Sequence, residues 1–202
     1  MKKILTTAIL CAGLVGFTAC DSFLDEEPKS SLTLDTYYKT SADIIGNVNY
    51  LYRDGAPDKM GNMTGAYRGS SLSVMNMVTG YFVNEYEGQE VDCSYARQLT
   101  RQNFTQSCCN YLTNDTWKGC YKSINVANAV IKYVDGVEMD GQAQYKAEAR
   151  FFRALNYFYL VKMFGDVPMI TEPTEDATLV EYPTRTAASE VFNTVIIPDL
   201  QF

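Results

Sequence analysis

The chain has 202 residues, with 17 basic and 24 acidic side chains, a formal net charge of −7 and no histidine. The absence of histidine excludes Ser-His and Cys-His catalytic dyads, imidazole general bases and zinc sites that contain histidine. The acidic balance argues against a nucleic-acid partner, because binding to phosphates requires clustered Lys and Arg. The 15 Tyr, 10 Phe and one Trp supply enough apolar surface for a folded core. We therefore expect one domain of ordinary size, or part of a larger one.

The N-terminus has the charged, apolar and small-residue regions of a secretory signal, in that order. Lys2 and Lys3 follow Met1, an uncharged stretch covers residues 4–17, and Cys20 comes three residues later. That stretch is shorter than the roughly 18–20 residues that a membrane-spanning helix needs. A small residue before a cysteine and acidic residues after it resemble the start of a bacterial lipoprotein, so we predict a signal peptide over 1–19 and lipidation at Cys20. The alternative is an ordinary signal peptide with a chance cysteine, because Phe17 stands where leucine is usual.

An acidic segment follows the cysteine. Residues 20–31 contain four carboxylates, Pro28 and three serines, which is the composition of a solvated, extended tether. The segment also resembles the surface-export signal of Bacteroidetes-type lipoproteins. A plain linker remains the alternative.

The first predicted helix lies within residues 32–53. Ser41 and Asp43 offer N-cap chemistry, and the helix stops at Asp54-Gly55. Its apolar positions recur at helical spacing: Ile44, Val48, Leu51 and Tyr52. The glycine-rich stretch from there to Ser71 predicts a long loop that does not match a phosphate-binding motif. The apolar run 72–83 is compatible with either a helix or a buried strand.

The second half of the chain predicts three helices. The first is capped by Asp115 or Thr116 and ends before Gly136. Its apolar residues repeat at steps of three and four: Trp117, Tyr121, Ile124, Ala127, Ile131 and Val134. The second runs over about 142–164 and stops at Gly165. Its apolar stripe consists of Tyr145, Phe152, Leu155, Tyr159 and Met163, and Phe151 and Phe158 widen it. Because the stripe is unusually broad, we expect this helix to be buried between neighbouring helices.

The last predicted helix opens at Thr184 or Thr186 and runs into Pro198. Its apolar face consists of Ala188, Val191, Val195 and Ile196. Helices joined by short turns favour helical hairpins stacked side by side. The fold class predicted from these patterns is mainly α.

Four segments together resemble the SusD/RagB family. The hallmark is the helix and turn from Ala147 through Pro168, which read AEARFFRALNYFYLVKMFGDVP. The other three are the lipoprotein start Cys20–Pro28, the pattern Trp117-x3-Tyr121-x2-Ile124-x2-Ala127-Asn128, and Glu190-Val-Phe-x4-Ile197-x-Asp199-Leu200. The resemblance covers the chain from Cys20 to its end.

The resemblance implies tetratricopeptide-like stacked helix pairs with long loops that bind ligand. It also implies a lipid-anchored protein at the cell outer membrane, exposed at the surface, which captures glycan or peptide nutrients for a SusC-like TonB-dependent transporter. Family members are longer, so residues 32–202 are expected to be a SusD-like N-terminal helical domain whose C-terminal part is absent. A helical lipoprotein scaffold without small-ligand binding, or a non-functional fragment, is the alternative.

The residues themselves indicate binding and not catalysis. No motif singles out a pair among the 24 acidic residues, so we expect neither an enzyme nor a metal or cofactor. Sugar rings pack on aromatic faces while amides and carboxylates bond their hydroxyls. The predicted ligand-binding residues are therefore Tyr81, Asn84, Glu85 and Tyr86, with Tyr81 and Phe82 in the core as the alternative.

Two further groups have open roles at this stage. Arg150 and Arg153 lie one turn apart and either contact ligand or, more simply, pair with acids and fix the packing of their helix. Outside the signal and the anchor, the cysteines are Cys93, Cys108, Cys109 and Cys120. Their spacing fits no compact zinc site, and both disulfides and buried free thiols are possible.

Overall fold

Helices make up most of the described chain. The computed structural model describes residues 33–53, 55, 79–81, 98, 100–103, 116–174 and 183–202. The helices belong to one compact unit, Leu34–Phe202. In chain order they are α1 (Leu34–Tyr37), α2 (Ser41–Arg53), α3 (Lys118–Tyr133), a 3₁₀ turn (Val134–Gly136), α4 (Gln142–Phe164), α5 (Ala188–Val191), a π-helical segment (Phe192–Ile196) and α6 (Ile197–Leu200). The prediction of a mainly helical fold is confirmed.

Hydrogen bonds from Thr40 to Asp43 mark the start of helix α2. The Asp43 carboxylate accepts hydrogen bonds from the backbone N–H of Thr40 at 2.8 Å and from its hydroxyl at 2.6 Å. These bonds from Thr40 hold the pKa of Asp43 below its usual value. Asp43 therefore works as predicted, whereas Ser41 is the first helical residue and not the cap.

The end of α2 at Arg53 agrees with the predicted stop. Just beyond it, a Cβ atom on Gly55 would lie 2.7 Å from the Cα of Leu51, so this position requires glycine. The carbonyl of Gly55 accepts a hydrogen bond from Asn156 Nδ2 at 3.0 Å, which ties the end of α2 to α4.

Helices α3 and α4 form a hairpin that carries two hydrophobic clusters. In the first, α2 packs against α3 and α4 through Ile44, Val48, Leu51, Ala127, Val130, Val134, Ala149 and Phe152. In the second, the C-terminal helices pack against the hairpin through Cys120, Ile124, Ala154, Tyr157, Leu160, Val161, Val191, Val195 and Ile196. The α3–α4 pair is thus the common support of everything that packs around it.

The observed start of α3 differs from the predicted one. Trp117 occupies the N-cap position and makes no side-chain cap hydrogen bond, Thr116 is buried, and Asp115 lies outside the described residues. The predicted end is confirmed, because α3 passes into the 3₁₀ turn that finishes at Gly136. The core positions Ile124, Ala127 and Val134 are buried.

Helix α4 has the predicted bounds, but the side chains that it buries differ from the predicted ones. Phe152 is buried, yet Phe151 and Phe158 are 48% and 39% exposed. The expectation that the widened stripe is buried between neighbours is therefore wrong for these two rings. Arg153 and Asn156 occupy core positions instead, because both find hydrogen-bond partners inside.

The C-terminal helices begin and continue in ways that the sequence pattern did not predict. Thr186 pairs through its backbone with Val167, and the N-cap position is Ala187. The N–H of Ala188 donates to the carboxylate of Asp166 at 3.0 Å, so the cap comes from a distant residue. Pro198 does not end the helix, because α6 continues directly from the π-helical segment and Pro198 is its second residue.

Several predicted segments lie outside the described residues. These are the signal peptide 1–19, the tether 20–31, and most of the predicted loop 54–71 and of the apolar run 72–83. Within the described ranges, no helix is long and apolar enough to cross a bilayer.

Candidate functional site

Residues 168–174, called the strap here, leave the end of α4 and run back over the α3–α4 hairpin. Polar side chains from both helices bind the backbone of the strap. Tyr157 Oη donates to the carbonyl of Ile170 at 2.9 Å and accepts from its N–H at 2.6 Å. Tyr121 Oη donates to the carbonyl of Pro168 at 2.7 Å. The strap is therefore held by side-chain hydrogen bonds in place of a sheet or helix ladder.

Two asparagines of α3 extend this arrangement along the strap. Asn128 Nδ2 donates to the carbonyls of Ile170 and Glu172 at 3.0 and 3.2 Å. Asn125 Oδ1 accepts from the N–H of Thr174 at 2.7 Å. The two asparagines lie about one turn apart on α3, so they bind successive parts of the strap.

A buried ion pair lies beneath the strap. Arg153 of α4 forms a two-pronged contact with Asp199 of α6, with Nε to Oδ2 at 2.6 Å and Nη2 to Oδ1 at 2.8 Å. Its Nη1 donates to Asn128 Oδ1 at 2.9 Å and to the carbonyl of Thr171 at 3.4 Å. Arg153 and Asp199 are only 9% and 6% exposed. One guanidinium group thus joins α3, α4, α6 and the strap.

Three weakly acidic side chains near this network, Tyr157, Tyr121 and Cys120, keep their protons. Burial raises the pKa of the Tyr157 hydroxyl to about 12 and also raises the pKa of Tyr121 above its usual value. Burial likewise raises the pKa of the Cys120 thiol to about 12. The tyrosines therefore remain hydrogen-bond donors at neutral pH, and Cys120 is unsuited to nucleophilic chemistry.

The predicted ligand-binding segment is described at one residue only. Tyr81 lies in a turn that follows Gly80, whose φ of +79° favours glycine. Its N–H donates to Thr79 Oγ1 at 3.3 Å, and its side chain is 90% exposed. The alternative that Tyr81 belongs to the core is therefore wrong. Asn84, Glu85 and Tyr86 lie outside the described residues, so their grouping with Tyr81 stays a prediction.

Comparison with known proteins assigns the family. A family model described as "Starch-binding associating with outer membrane" matches residues 22–201. This chain belongs to the SusD-like family.

The SusD-like chain is shorter than the relatives that it matches. SusD-like protein P2 from Formosa agariphila is 29% identical over 205 residues, an alignment that covers 100% of this chain and 37% of the relative. A crystal structure of a SusD superfamily protein from Parabacteroides distasonis is 26% identical, with a TM-score of 0.62 over 78% of this chain and 32% of that protein. The SusD-like chain thus spans about a third of their length.

A surface glycan-binding protein A from Bacteroides fluxus shares the fold. It superposes with a TM-score of 0.57 at 21% identity, over 81% of the SusD-like chain and 32% of its own. These matches confirm the family resemblance and the packed helix pairs predicted from the hallmark helix.

The two arginines of the hallmark helix in this SusD-like chain have structural roles. Arg153 pairs with Asp199, as the simpler interpretation predicts. Arg150 stacks over the ring of Phe202, with its Cζ 4.0 Å from the ring centroid, and its Nε lies 3.9 Å from Asp199 Oδ1. Sequence reasoning did not identify Asp199 or Asn128 as their partners. The available signal in α3 was a polar residue on its apolar stripe, since Asn128 lies four residues after Ile124 and three before Ile131.

The remaining predicted sites of the SusD-like chain are only partly described. Cys120 is a buried free thiol, whereas Cys20, Cys93, Cys108 and Cys109 lie outside the described residues. In the part of the chain that the structure describes, no group of three or more Cys, Asp and Glu side chains could hold a metal ion.

Proposed function

We propose that this SusD-like chain belongs to a glycan-capture lipoprotein of the outer membrane, and that it acts by binding and not by catalysis. The observation that carries the proposal is the family match over residues 22–201, whose description names starch binding and the outer membrane. The surface glycan-binding protein from Bacteroides fluxus supports a sugar as the ligand class. A peptide ligand is the second possibility within the same function.

The exposed ring of Tyr81 supports ligand capture over a purely structural scaffold. A scaffold of helices needs its aromatic side chains in the core, whereas a sugar-binding surface needs at least one flat ring that water can reach. Tyr81 is 90% exposed and lies in a turn outside the helices. In the proposed site, its ring stacks on a sugar face while Asn84, Glu85 and Tyr86 bond hydroxyl groups.

Substitution of the aromatic ring tests the proposed site. The full chain is titrated with maltoheptaose and with a panel of plant and algal oligosaccharides by isothermal titration calorimetry. Tyr81→Ala should weaken the affinity for the bound glycan by about tenfold, the effect of losing roughly one stacking contact. Asn84→Ala and Tyr86→Ala should weaken it as well.

Tyr37→Ala is the matched control, because Tyr37 is a partly exposed tyrosine of α1 outside the proposed site. Its substitution should leave the glycan affinity unchanged. Equal affinities for the parent chain and all three site variants would contradict this site. Binding of peptides but of no glycan would leave capture in place and replace the ligand class.

The proposed anchor and partner have separate tests. Cells that express the chain should incorporate labelled palmitate, and Cys20→Ala should abolish the label. The anchored chain should be digested by protease added to whole cells, which reports exposure at the surface. A SusC-like TonB-dependent transporter should co-purify with the family protein, and its absence from cross-linked membranes would contradict the proposed partnership.

A further inference from the structure

Two buried polar atoms of the α3–α4 hairpin have no hydrogen-bond partner among the described residues. Ser123 and Asn156 are both 0% exposed, and the atoms concerned are Ser123 Oγ and Asn156 Oδ1. A third such atom, Arg150 Nε, lies 3.9 Å from an oxygen of Asp199 and so has a charge partner at longer range. Burying an unpaired polar group is costly, and folded proteins satisfy such groups with protein atoms or with ordered water.

The orientation of the Asn156 amide is fixed by its nitrogen. Nδ2 donates to the carbonyl of Gly55 at 3.0 Å and to the carbonyl of Phe152 at 2.8 Å. Both amide hydrogens are therefore used. Exchanging the oxygen with the nitrogen would place an acceptor against two carbonyl oxygens. Oδ1 thus points away from these carbonyls, and only a hydrogen-bond donor can satisfy it.

Ser123 lies on the face of α3 that packs against α2. It precedes Ala127 by four residues and Val130 by seven, and both belong to the first hydrophobic cluster. The neighbouring Lys122 holds its Nζ 5.3 Å from the ring centroid of Tyr50, which is in the last turn of α2. The Ser123 hydroxyl is therefore directed towards the C-terminal end of α2.

The two unpaired groups meet at this end of α2. Asn156 bonds Gly55, which follows the last residue of α2 by two positions. The rings of Tyr121 and Tyr157 are in contact across the hairpin, with centroids 6.4 Å apart. Ser123 and Asn156 each lie within two residues of that contact, which is about 3 Å along a helix axis. The last carbonyls of a helix have no intrahelical partners, so the end of α2 adds hydrogen-bond acceptors here.

We propose that the end of α2 and the α3–α4 hairpin enclose a binding site for one internal water molecule, which bridges Asn156 Oδ1 and Ser123 Oγ. The water donates one hydrogen to Asn156 Oδ1 and accepts the hydroxyl hydrogen of Ser123. Its second hydrogen goes to a carbonyl in the last turn of α2. Three hydrogen bonds are typical of a buried water.

A neutral ligand that both donates and accepts suits this pair of atoms. An anion has no hydrogen to offer Asn156 Oδ1, and in the described part of the chain no group of acidic or cysteine side chains could hold a metal ion. The water joins α2 to the hairpin at the point where Asn156 already bonds Gly55. This site does not depend on glycan capture.

A crystal structure of the full chain tests the site directly. Electron density should show one water within about 3.2 Å of both Asn156 Oδ1 and Ser123 Oγ. In solution, the side-chain amide hydrogens of Asn156 should show a nuclear Overhauser effect from a long-lived water. Absence of the water in the crystal structure, or a protein donor bound to Asn156 Oδ1 in its place, would overturn the proposal.

Ser123→Ala gives a second test, because the sign of its effect depends on the water. A hydroxyl that holds the water is lost, so the Tm should fall by about 2–4 °C, the shift expected for one hydrogen bond in a chain of this size. Removing a hydroxyl that has no partner would instead raise the Tm, because its desolvation cost disappears.

Ser189→Ala is the matched control, because Ser189 is an exposed serine of α5. It makes the same change in helix propensity without touching the site. The Tm of Ser123→Ala should therefore lie below that of Ser189→Ala. A Tm equal to or above that of the control would overturn the proposal, whatever the glycan affinity of either variant.

Discussion

Replacing Asp199 by alanine should strongly destabilise the fold. The substitution leaves the Arg153 guanidinium inside the protein without its carboxylate partner, and both side chains are at most 10% exposed. Breaking a buried ion pair by removing one partner costs about 3–5 kcal/mol, because the remaining charge stays buried. Arg153 keeps its contacts with Asn128 Oδ1 and the carbonyl of Thr171, which favours the lower half of that range.

The expected loss is large relative to the total stability. A domain of this kind has an unfolding free energy of about 5–15 kcal/mol, so a loss of about 3–4 kcal/mol removes a substantial part of it. For a chain of this size, each kcal/mol lowers the melting temperature by about 2–4 °C. We therefore expect Asp199→Ala to lower the Tm by about 6–16 °C. Urea unfolding followed by far-UV circular dichroism gives the free-energy difference directly.

Asp135→Ala is the matched control, because it removes the same group and the same charge from an exposed pair. Asp135 pairs with Lys146, and its side chain is 65% exposed. Exposed pairs contribute about 0–1 kcal/mol, so this variant should remain close to the parent chain. If Asp199→Ala were no less stable than Asp135→Ala, the buried pair would not hold α6 and the strap in the way described.

A double substitution separates the buried charge from the packing. Arg153→Met combined with Asp199→Leu removes both charges and leaves apolar side chains of similar volume. Such replacements are often neutral or stabilising, so the double variant should be more stable than Asp199→Ala alone. A double variant that is less stable would show that the hydrogen bonds of Arg153 to Asn128 and the strap outweigh the cost of burying the charge.

Two further predictions concern pH and backbone conformation. Burial raises the pKa of Cys120 from 9.0 to about 12 in the folded state, so the unfolded chain loses this proton first as pH rises. The unfolding free energy should therefore fall above about pH 9, by up to about 1.4 kcal/mol per pH unit. Cys120→Ala should reduce that slope in urea titrations. Gly165→Ala should cost about 1–3 kcal/mol, because Gly165 ends α4 at φ +70° and a methyl group there has open space but a strained backbone. Gly136→Ala, where φ is ordinary and the space is also open, should be nearly neutral in the same thermal melts; equal losses for the two glycines would contradict backbone strain as the cause.

The sequence predicted helix boundaries well where the signals are local. The bounds of α4 were predicted from a long apolar, helix-favouring segment that stops at Gly165, and the structure gives both Gly165 and Gly141, which precedes the helix, positive φ values. The start of α2 depends on Asp43, which bonds a residue three positions away. Signals of this kind lie within a few residues of the helix end and can be read without knowledge of the fold.

The sequence predicted the faces of the helices less well, because burial depends on distant partners. Arg153 is buried through Asp199, which is 46 residues away, and the N-terminus of α5 is capped by Asp166, 22 residues away. Phe151 and Phe158 read as core residues by hydropathy, yet they line an open groove. No local pattern distinguishes a charged side chain with a buried partner from one that faces water.

The candidate ligand site was predicted from composition, and the structure describes one residue of it. Aromatic and polar residues next to each other outside the strong helices suggested the site, with Tyr81 in the core as the alternative, and Tyr81 is exposed. The roles of Asn84, Glu85 and Tyr86 depend on the path of a long connection, which periodicity does not specify. The ligand site therefore remains a prediction, whereas the helical support is established.

The π-helical segment has a consequence for rotational register. Asp199 lies eight positions after Val191, and in a regular α-helix eight steps turn through about 800°, which places Asp199 some 80° away from the buried face that Val191 defines. The wider turns of Phe192–Ile196 wind by less per residue and bring Asp199 back to that face, where it is 6% exposed. The pairing of Arg153 with its carboxylate therefore depends on how the helix is wound as much as on which residues it contains.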